Sequence, residues 1–285
     1  MTADINSVAP DVIKLALQLI ALGHGPSGLA ASALIAFLSD GGLSKLLSAF
    51  QQFHGLPTTG TADMATLVML NRPRCAAPDV MADSVQYRWI DGHITWSQAV
   101  NLPTVPNDVI AAAFEAGWQS WADVCGITPT QKAVADAHFA NVVASAGEGA
   151  SQGFDAANRI LALSQLPQSL PASAQLTQIF NRQAQWTTDM VQAVAAHEIG
   201  HSLGLVHDAP GTLMYAYYTA GLKTPQAADI AQAVLRYGPP SHTTSEVPEP
   251  VASAPTTPPA GNTVSVELNV PTAGTYLLNL SMVPK

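Results

Sequence analysis

The sequence predicts an α+β protein in which a small all-helical unit precedes a larger domain of strands mixed with long helices. Three observations carry this. Apolar residues recur at helical spacing through the first seventy positions, and strand-like and helix-like segments mix from Tyr87 onward. Hydrophobic residues make up 48% of the 285 positions against 11% charged, which is enough for a sizeable core and excludes disorder along the whole chain. The net charge of −9 argues against a nucleic-acid partner, whose phosphates want a basic face. No apolar run reaches the ~18 residues of a membrane span. The segment Val12 to Leu22 contains Lys14 and follows Asp4 and Asp11, so it does not read as a secretory leader.

The first helix takes Val12, Leu15, Ala16, Leu19 and Ile20 on one face and stops at Gly23 to Pro26. Ser27 is expected to cap a second helix through Phe37, followed by helices near 43–53 and 62–70, with a turn-rich loop from Gly55 to Gly60. These make a unit over residues 1–72. A connecting segment follows at 73–86, and the mixed domain spans 87–238. Within it, Tyr87 to Ile90 and His93 to Trp96 read as strands around Asp91-Gly92. Asn107 should cap a long helix bearing Ile110, Phe114, Trp118 and Trp121. Further strands are expected near 137–143 and 160–163, with a Gly/Ser-rich loop from Ala144 to Gly153. Helices are expected near 188–203 and 225–237. Residues 239–262 read as a linker, because seven of the chain's 21 prolines fall between Pro239 and Ala260. Alternation at Val264, Val266, Leu268 and Val270, a turn, and a second run from Tyr276 to Val283 predict a β-hairpin over 263–285, the opening of a truncated β-domain.

The stretch that carries chemistry is His197-Glu198-Ile199-Gly200-His201-Ser202-Leu203-Gly204-Leu205-Val206-His207. Residues four apart on a helix share a face, so His197 and His201 can grip one zinc ion while Glu198 stands beside it as a proton acceptor for water. Gly204 lets the chain leave the helix sharply, and His207 can then return as a third nitrogen ligand. Three protein ligands leave a fourth position open, as catalytic zinc requires.

This pattern resembles the metzincin signature, and Ser202 with Asp208 narrows the resemblance to the matrixins. The resemblance implies a zinc endopeptidase of protein or peptide substrates, secreted, with a twisted mixed sheet and long helices. It implies that Glu198 is the general base and that Met214, in Gly211-Thr212-Leu213-Met214-Tyr215, forms the Met-turn under the zinc histidines. Tyr218 would line the S1′ pocket, with Ala216 where relatives usually carry proline. His93 to Trp96, Trp118 to Val124 and Asp229 to Gly238 are similar to other parts of the same domain. Ala49 to Gly60 resembles the peptidoglycan-binding-like helical prodomain of many matrixins. Between the two, Pro73-Arg74-Cys75-Ala76-Ala77-Pro78-Asp79 is similar to the cysteine switch, with Ala76 in place of glycine. The thiolate of Cys75 would be the fourth zinc ligand of a latent zymogen, Arg74 and Asp79 would support it, and cleavage between Asp79 and Tyr87 would release it. A Cys75–Cys125 disulfide is the competing reading of that thiol; Cys125 itself reads as a small hydrophobe at a helix end.

His24, His54, His93, His138 and His242 have no ligand-like partners at recognisable spacing and read as structural or solvated. The family's second zinc is not expected. Gly147-Glu148-Gly149, Leu161 to Ser164 and Gln178 to Asn181 stand where its ligands would be, so one zinc ion per chain is expected. Calcium through Asp155 or Glu148 stays open. A second reading takes residues 1–72 at face value as a cell-wall module that binds peptidoglycan.

Overall fold

The computed structural model describes residues 9–83, 85–149, 154, 159–168, 173–240, 263–270 and 274–281. Its contacts divide the chain into two units, Met1–Thr243 and Thr244–Lys285.

The first unit opens with α1 (Pro10–Ala21), α2 (Ala31–Ser39), α3 (Gly42–Phe53) and α4 (Met64–Leu70). Leu19, Leu34, Leu38, Leu46, Leu47 and Phe50 close a core of their own. Pro10 begins α1, where a missing N–H costs nothing. Asp63 caps α4 by accepting from the Thr66 amide at 2.9 Å. Gln51 is fully buried and pins the loop after α3: its amide donates to Thr59, Thr61 and Thr66, and its oxygen accepts from Gly60. Ser27 does not cap α2. Gly28 takes φ +72°, outside the helical region, so the helix begins only after Ala30. Among the described residues no single helix is long and apolar enough to cross a membrane.

The rest of this unit is built on a six-stranded sheet. Its strands are β1 (Arg74–Cys75), β2 (His93–Ala99), β3 (Thr128–Gln131), β4 (Val142–Gly147), β5 (Ile160–Ser164) and β6 (Leu176–Asn181), in the spatial order β1-β5-β6-β4-β2-β3. Strands β6, β4, β2 and β3 are mutually parallel; β5 runs against β6, and β1 runs parallel to β5. Helices α5 (Asn107–Ala122) and α6 (Thr188–Ser202) pack together beside this sheet, and α7 (Ala227–Tyr237) closes the domain. The core is aromatic. Trp96 stacks on Phe114 and Trp118, and Phe180 packs edge-on to Phe114. Almost every residue of α6 from Val191 to Ser202 is buried, and its run of alanines lets the Trp121 indole reach the Ala196 carbonyl at 2.9 Å.

Several local expectations change. Tyr87–Ile90 is not a strand: the Trp89 amide meets the Tyr237 hydroxyl, and its buried indole donates to the Ser202 carbonyl at 2.9 Å. Asn107 is the first residue of α5 rather than its cap, and its side-chain oxygen accepts from Asn101. The strand expected at 137–143 begins only at Val142, after a 3₁₀ turn at Val134–Phe139. It therefore takes over Ala144 to Gly147 from the expected loop, of which residues 150–153 lie outside the described residues. Strands β3 and β6 were not legible in the sequence.

In the second unit β7 (Thr263–Val270) and β8 (Gly274–Ser281) pair antiparallel, with Thr263 opposite Ser281 and Val270 opposite Gly274. Residues 241–262 of the expected linker lie outside the described residues.

Trp118 is 2% exposed and stacks from α5 onto Trp96 of β2. Trp118→Ala is expected to cost about 3–5 kcal/mol, read as a lowered urea midpoint at unchanged slope.

Candidate metal centre and active site

Helix α6 begins at Thr187, whose hydroxyl accepts from the Met190 amide, and runs to Ser202. His197 and His201 stand one turn apart near its end. Two requirements make Gly204 the residue that ends it. The backbone there takes φ +94°, and a Cβ would lie 1.5 Å from the Tyr87 carbonyl oxygen. The chain then turns back and delivers His207.

Each imidazole is oriented by a backbone carbonyl. The Nδ1 of His197 faces Leu213 O at 2.8 Å, that of His201 faces Leu205 O at 2.7 Å, and that of His207 faces Pro78 O at 2.7 Å. A carbonyl accepts, so each Nδ1 carries the proton and each Nε2 presents a lone pair. The three Nε2 atoms nevertheless lie 3.1–3.3 Å apart, acceptor against acceptor. Burial keeps the rings uncharged, pushing His201 down to about 4; at His197 burial and then the nearby His201 lower the value to about 3. Three converging neutral lone pairs suit a cation, and nitrogen donors of this type suit zinc.

Cys75 completes the arrangement, with its sulfur 3.5 Å from His201 Nε2; the four ligand atoms of Cys75, His197, His201 and His207 lie within 4.8 Å of one another. Both cysteines are free, and the Cys125 thiol faces the Trp121 carbonyl instead. Burial, with the Glu198 charge next in size, pushes the Cys75 thiol well above its ordinary value, and the Ala77 amide and the Arg74 guanidinium offset only part. Glu198 is 0% exposed and is raised by burial to about 8, with the neighbouring Cys75 thiol offsetting part of that rise.

Met214 packs under the helix: a Cβ on Gly200 would meet its sulfur at 2.3 Å. The turn is anchored by the buried Asp229, which accepts from the Leu213 and Met214 amides at 2.7 and 3.1 Å. Tyr218 lines a recess beside His197 and Glu198, together with Leu161, Val194 and Leu222. The Ala216 carbonyl accepts from the Cys75 amide at 2.9 Å, so this stretch and β5 hold β1 from both sides.

The segment around Cys75 is held by Arg74, which is 3% exposed. Its guanidinium donates to the Cys75 and Ala77 carbonyls and pairs with Asp79 at 2.8 Å. Ala76 sits comfortably where a glycine was looked for. Its amide bonds to Ala162 O, and among the described residues the only non-glycine with positive φ is Arg159. His24 and His54, read from the sequence as structural or solvated, both face the Asp79 carboxylate, at 2.9 and 3.0 Å. No local spacing could have announced them. His93 and His138 are exposed, with His93 against Thr128; Glu148 is exposed; His242 and Asp155 lie outside the described residues.

The family model described as matrixin matches residues 88–234. This chain belongs to the matrixin family. It is 31% identical to stromelysin-1 of Mus musculus over 61% of this chain and 38% of the relative. It is 32% identical to interstitial collagenase of Oryctolagus cuniculus over 60% and 38%, and 30% identical to that of Equus caballus over 68% and 42%. The chain thus spans about two fifths of the length of these relatives. Matrixins are zinc metalloendopeptidases, and the three-histidine cluster fits that metal.

Because Gly204 meets both a conformational and a steric demand, Gly204→Ala is expected to cost more than about 1 kcal/mol and to misplace His207. The matching measurement is zinc retention against a chelator, which should fall together with the melting temperature.

Proposed function

We propose that this chain is a latent zinc-dependent endopeptidase, with His197, His201 and His207 as metal ligands, Glu198 as general base and Cys75 as the occupant of the fourth position. The observation that carries this is the convergence of three lone-pair nitrogens on one point, with a buried carboxylate and a thiol at its rim. When bound there, zinc would activate water and polarise the scissile carbonyl.

The residues of the chain supply the rest. Glu198 is close enough to the centre to take the proton of an attacking water and pass it to the leaving amine. Its buried position favours the neutral acid, so a cation beside it is what makes the carboxylate available as a base. Strand β5 borders the cleft, and its outer edge is covered by β1, with the Arg74 amide bonded to Arg159 O and the Ala76 amide to Ala162 O. An extended peptide can pair with that edge once β1 leaves, and the recess beside Tyr218 would receive one of its side chains. Latency on this reading has two parts: a thiol on the metal and a strand on the substrate's edge. Cleavage between Asp79 and Tyr87 would end both. Kinship with the matrixins supports secretion.

The competing view of residues 1–72 as a peptidoglycan-binding module has less support. Two histidines of that unit are buried against the switch segment, a covering role in which its surface is already engaged. We assign the unit as a prodomain, residues 87–238 as the catalytic domain, and 239–262 as the linker to the C-terminal hairpin.

Glu198→Ala is expected to keep the fold and the zinc while losing about 10²–10⁴-fold of peptidase activity after removal of the prodomain. A variant retaining more than about a tenth of the rate would take Glu198 out of the mechanism. Cys75→Ala should turn the full-length chain active or self-processing without any thiol reagent, read by intact mass after purification. A chain that stays as latent as the parent would mean that steric cover suffices.

A further inference from the structure

Asp79 is the most heavily engaged side chain of the switch segment. One oxygen faces the Arg74 guanidinium at 2.8 Å, and the other receives both His24 Nε2 and His54 Nε2. The two histidines come from the turns that follow α1 and α3, and their side chains are 1% and 0% exposed. They are the helical unit's side-chain grip on the segment that carries Cys75, beside the bond from the Val80 amide to Leu22 O at 3.1 Å.

These three residues also lie close enough for a metal ion, but their geometry differs from that of the zinc centre. There, acceptors face acceptors. Here each imidazole N–H faces a carboxylate oxygen at hydrogen-bond distance, and His54 Nδ1 lies 2.8 Å from the Tyr215 hydroxyl, which can donate to it. The hydrogen bonds of His54 are complete without a metal, and the adjacent guanidinium would oppose a further cation.

We propose that His54 is a proton-operated catch: neutral, it seats the helical unit on Asp79 beside His24, and protonated, it releases that unit together with the switch segment. The charge balance is the reason. Arg74 and Asp79 already cancel, so an imidazolium added here is an uncompensated buried charge. Among the described residues, the groups facing His54 are Asp79 and its partner Arg74, His24, the rings of Phe50 and Phe53, and the hydroxyl-bearing rings of Tyr215 and Tyr217, with Arg72 over the Tyr217 ring. Asp79 is the one anion among them, and it is shared. Burial lowers the His54 value below 6.5, with the Asp79 contact offsetting only part. A ring that prefers neutrality when docked makes docking strongest above about pH 6.5 and weaker as pH falls below it.

This rests on the latency reading above, and the experiment separates the two. In the Glu198→Ala chain, which cannot cut itself, the rate at which 4,4′-dithiodipyridine modifies Cys75 is followed by mass from about pH 7.5 to 5, with zinc content measured on the same samples. The expected result is a rise of about tenfold per pH unit below about pH 6.5 with zinc retained. The His24→Gln/His54→Gln double variant, whose amides can still donate to Asp79, should give a flat profile. A thiol that reacts freely at every pH would overturn the switch itself. A thiol protected down to pH 5, a rise that tracks zinc loss, or an unchanged rise in the double variant would overturn the catch alone. If the double variant does not fold, histidine NMR titration of the Glu198→Ala chain decides: a His54 value above 6.5 overturns the proposal.

Discussion

Three imidazole nitrogens with lone pairs turned toward one another repel unless a cation lies between them, and the domain is arranged around holding them so. Each ring is aimed by a different piece of backbone: His197 by the turn that contains Met214, His201 by the exit from α6, and His207 by Pro78 of the switch segment. The close approach of Met214 to Gly200, the left-handed backbone at Gly204 and the anchoring of Leu213 and Met214 on Asp229 are all conditions for that convergence. Supporting groups of this kind set ring orientation and ligand basicity as surely as the ligands themselves.

The switch segment takes part in the same arrangement rather than resting on top of it. Pro78 O orients His207, Cys75 lies against the three-histidine cluster, and the short β1 strand extends the sheet at β5. Backbone pairing and soft-metal chemistry therefore act at one place. Either alone leaves a route for substrate: a strand without a thiol leaves a reactive centre, and a thiol without a strand is a tethered ligand of low local order. Arg74 is what ties the two together, because its guanidinium binds the Cys75 and Ala77 carbonyls as well as Asp79.

Asp79 extends this linkage to the helical unit. Burial works against its charge, but His24, His54 and Arg74 together hold its carboxyl well below the usual range. The helical unit has its own core around Phe50 and Leu19, so it can hold its two histidines in place without help from the sheet. Covering and catching are thereby separated: helix packing shapes the unit, and a few polar contacts seat it.

Most of the active centre was legible in the sequence because its residues are close along the chain. The i, i+4 spacing of His197 and His201 becomes a shared face through helix geometry alone, and Gly204 announces the turn that returns His207. Helices α1, α3, α5, α6 and α7 were legible for the same reason, since their apolar periodicity is a local property. Other features depended on partners distant in sequence. Strand β6 hides polar Gln178 and Asn181 in the interior, which breaks the alternation that marks a strand, and β3 is an exposed edge containing Pro129 that exists only by pairing with β2. Tyr87 to Ile90 has strand-forming residues, yet its bonds are taken by Tyr237 and Ser202. His24 and His54 lie 55 and 25 residues from Asp79 and share no pattern with it. The sequence by itself determined the ligand types, their local geometry and the order of the helices. Only tertiary structure decided which carbonyl aims each ring, which strand covers the cleft and which histidines hold the switch, because those choices rest on backbone groups and buried charges that meet only once the chain has folded.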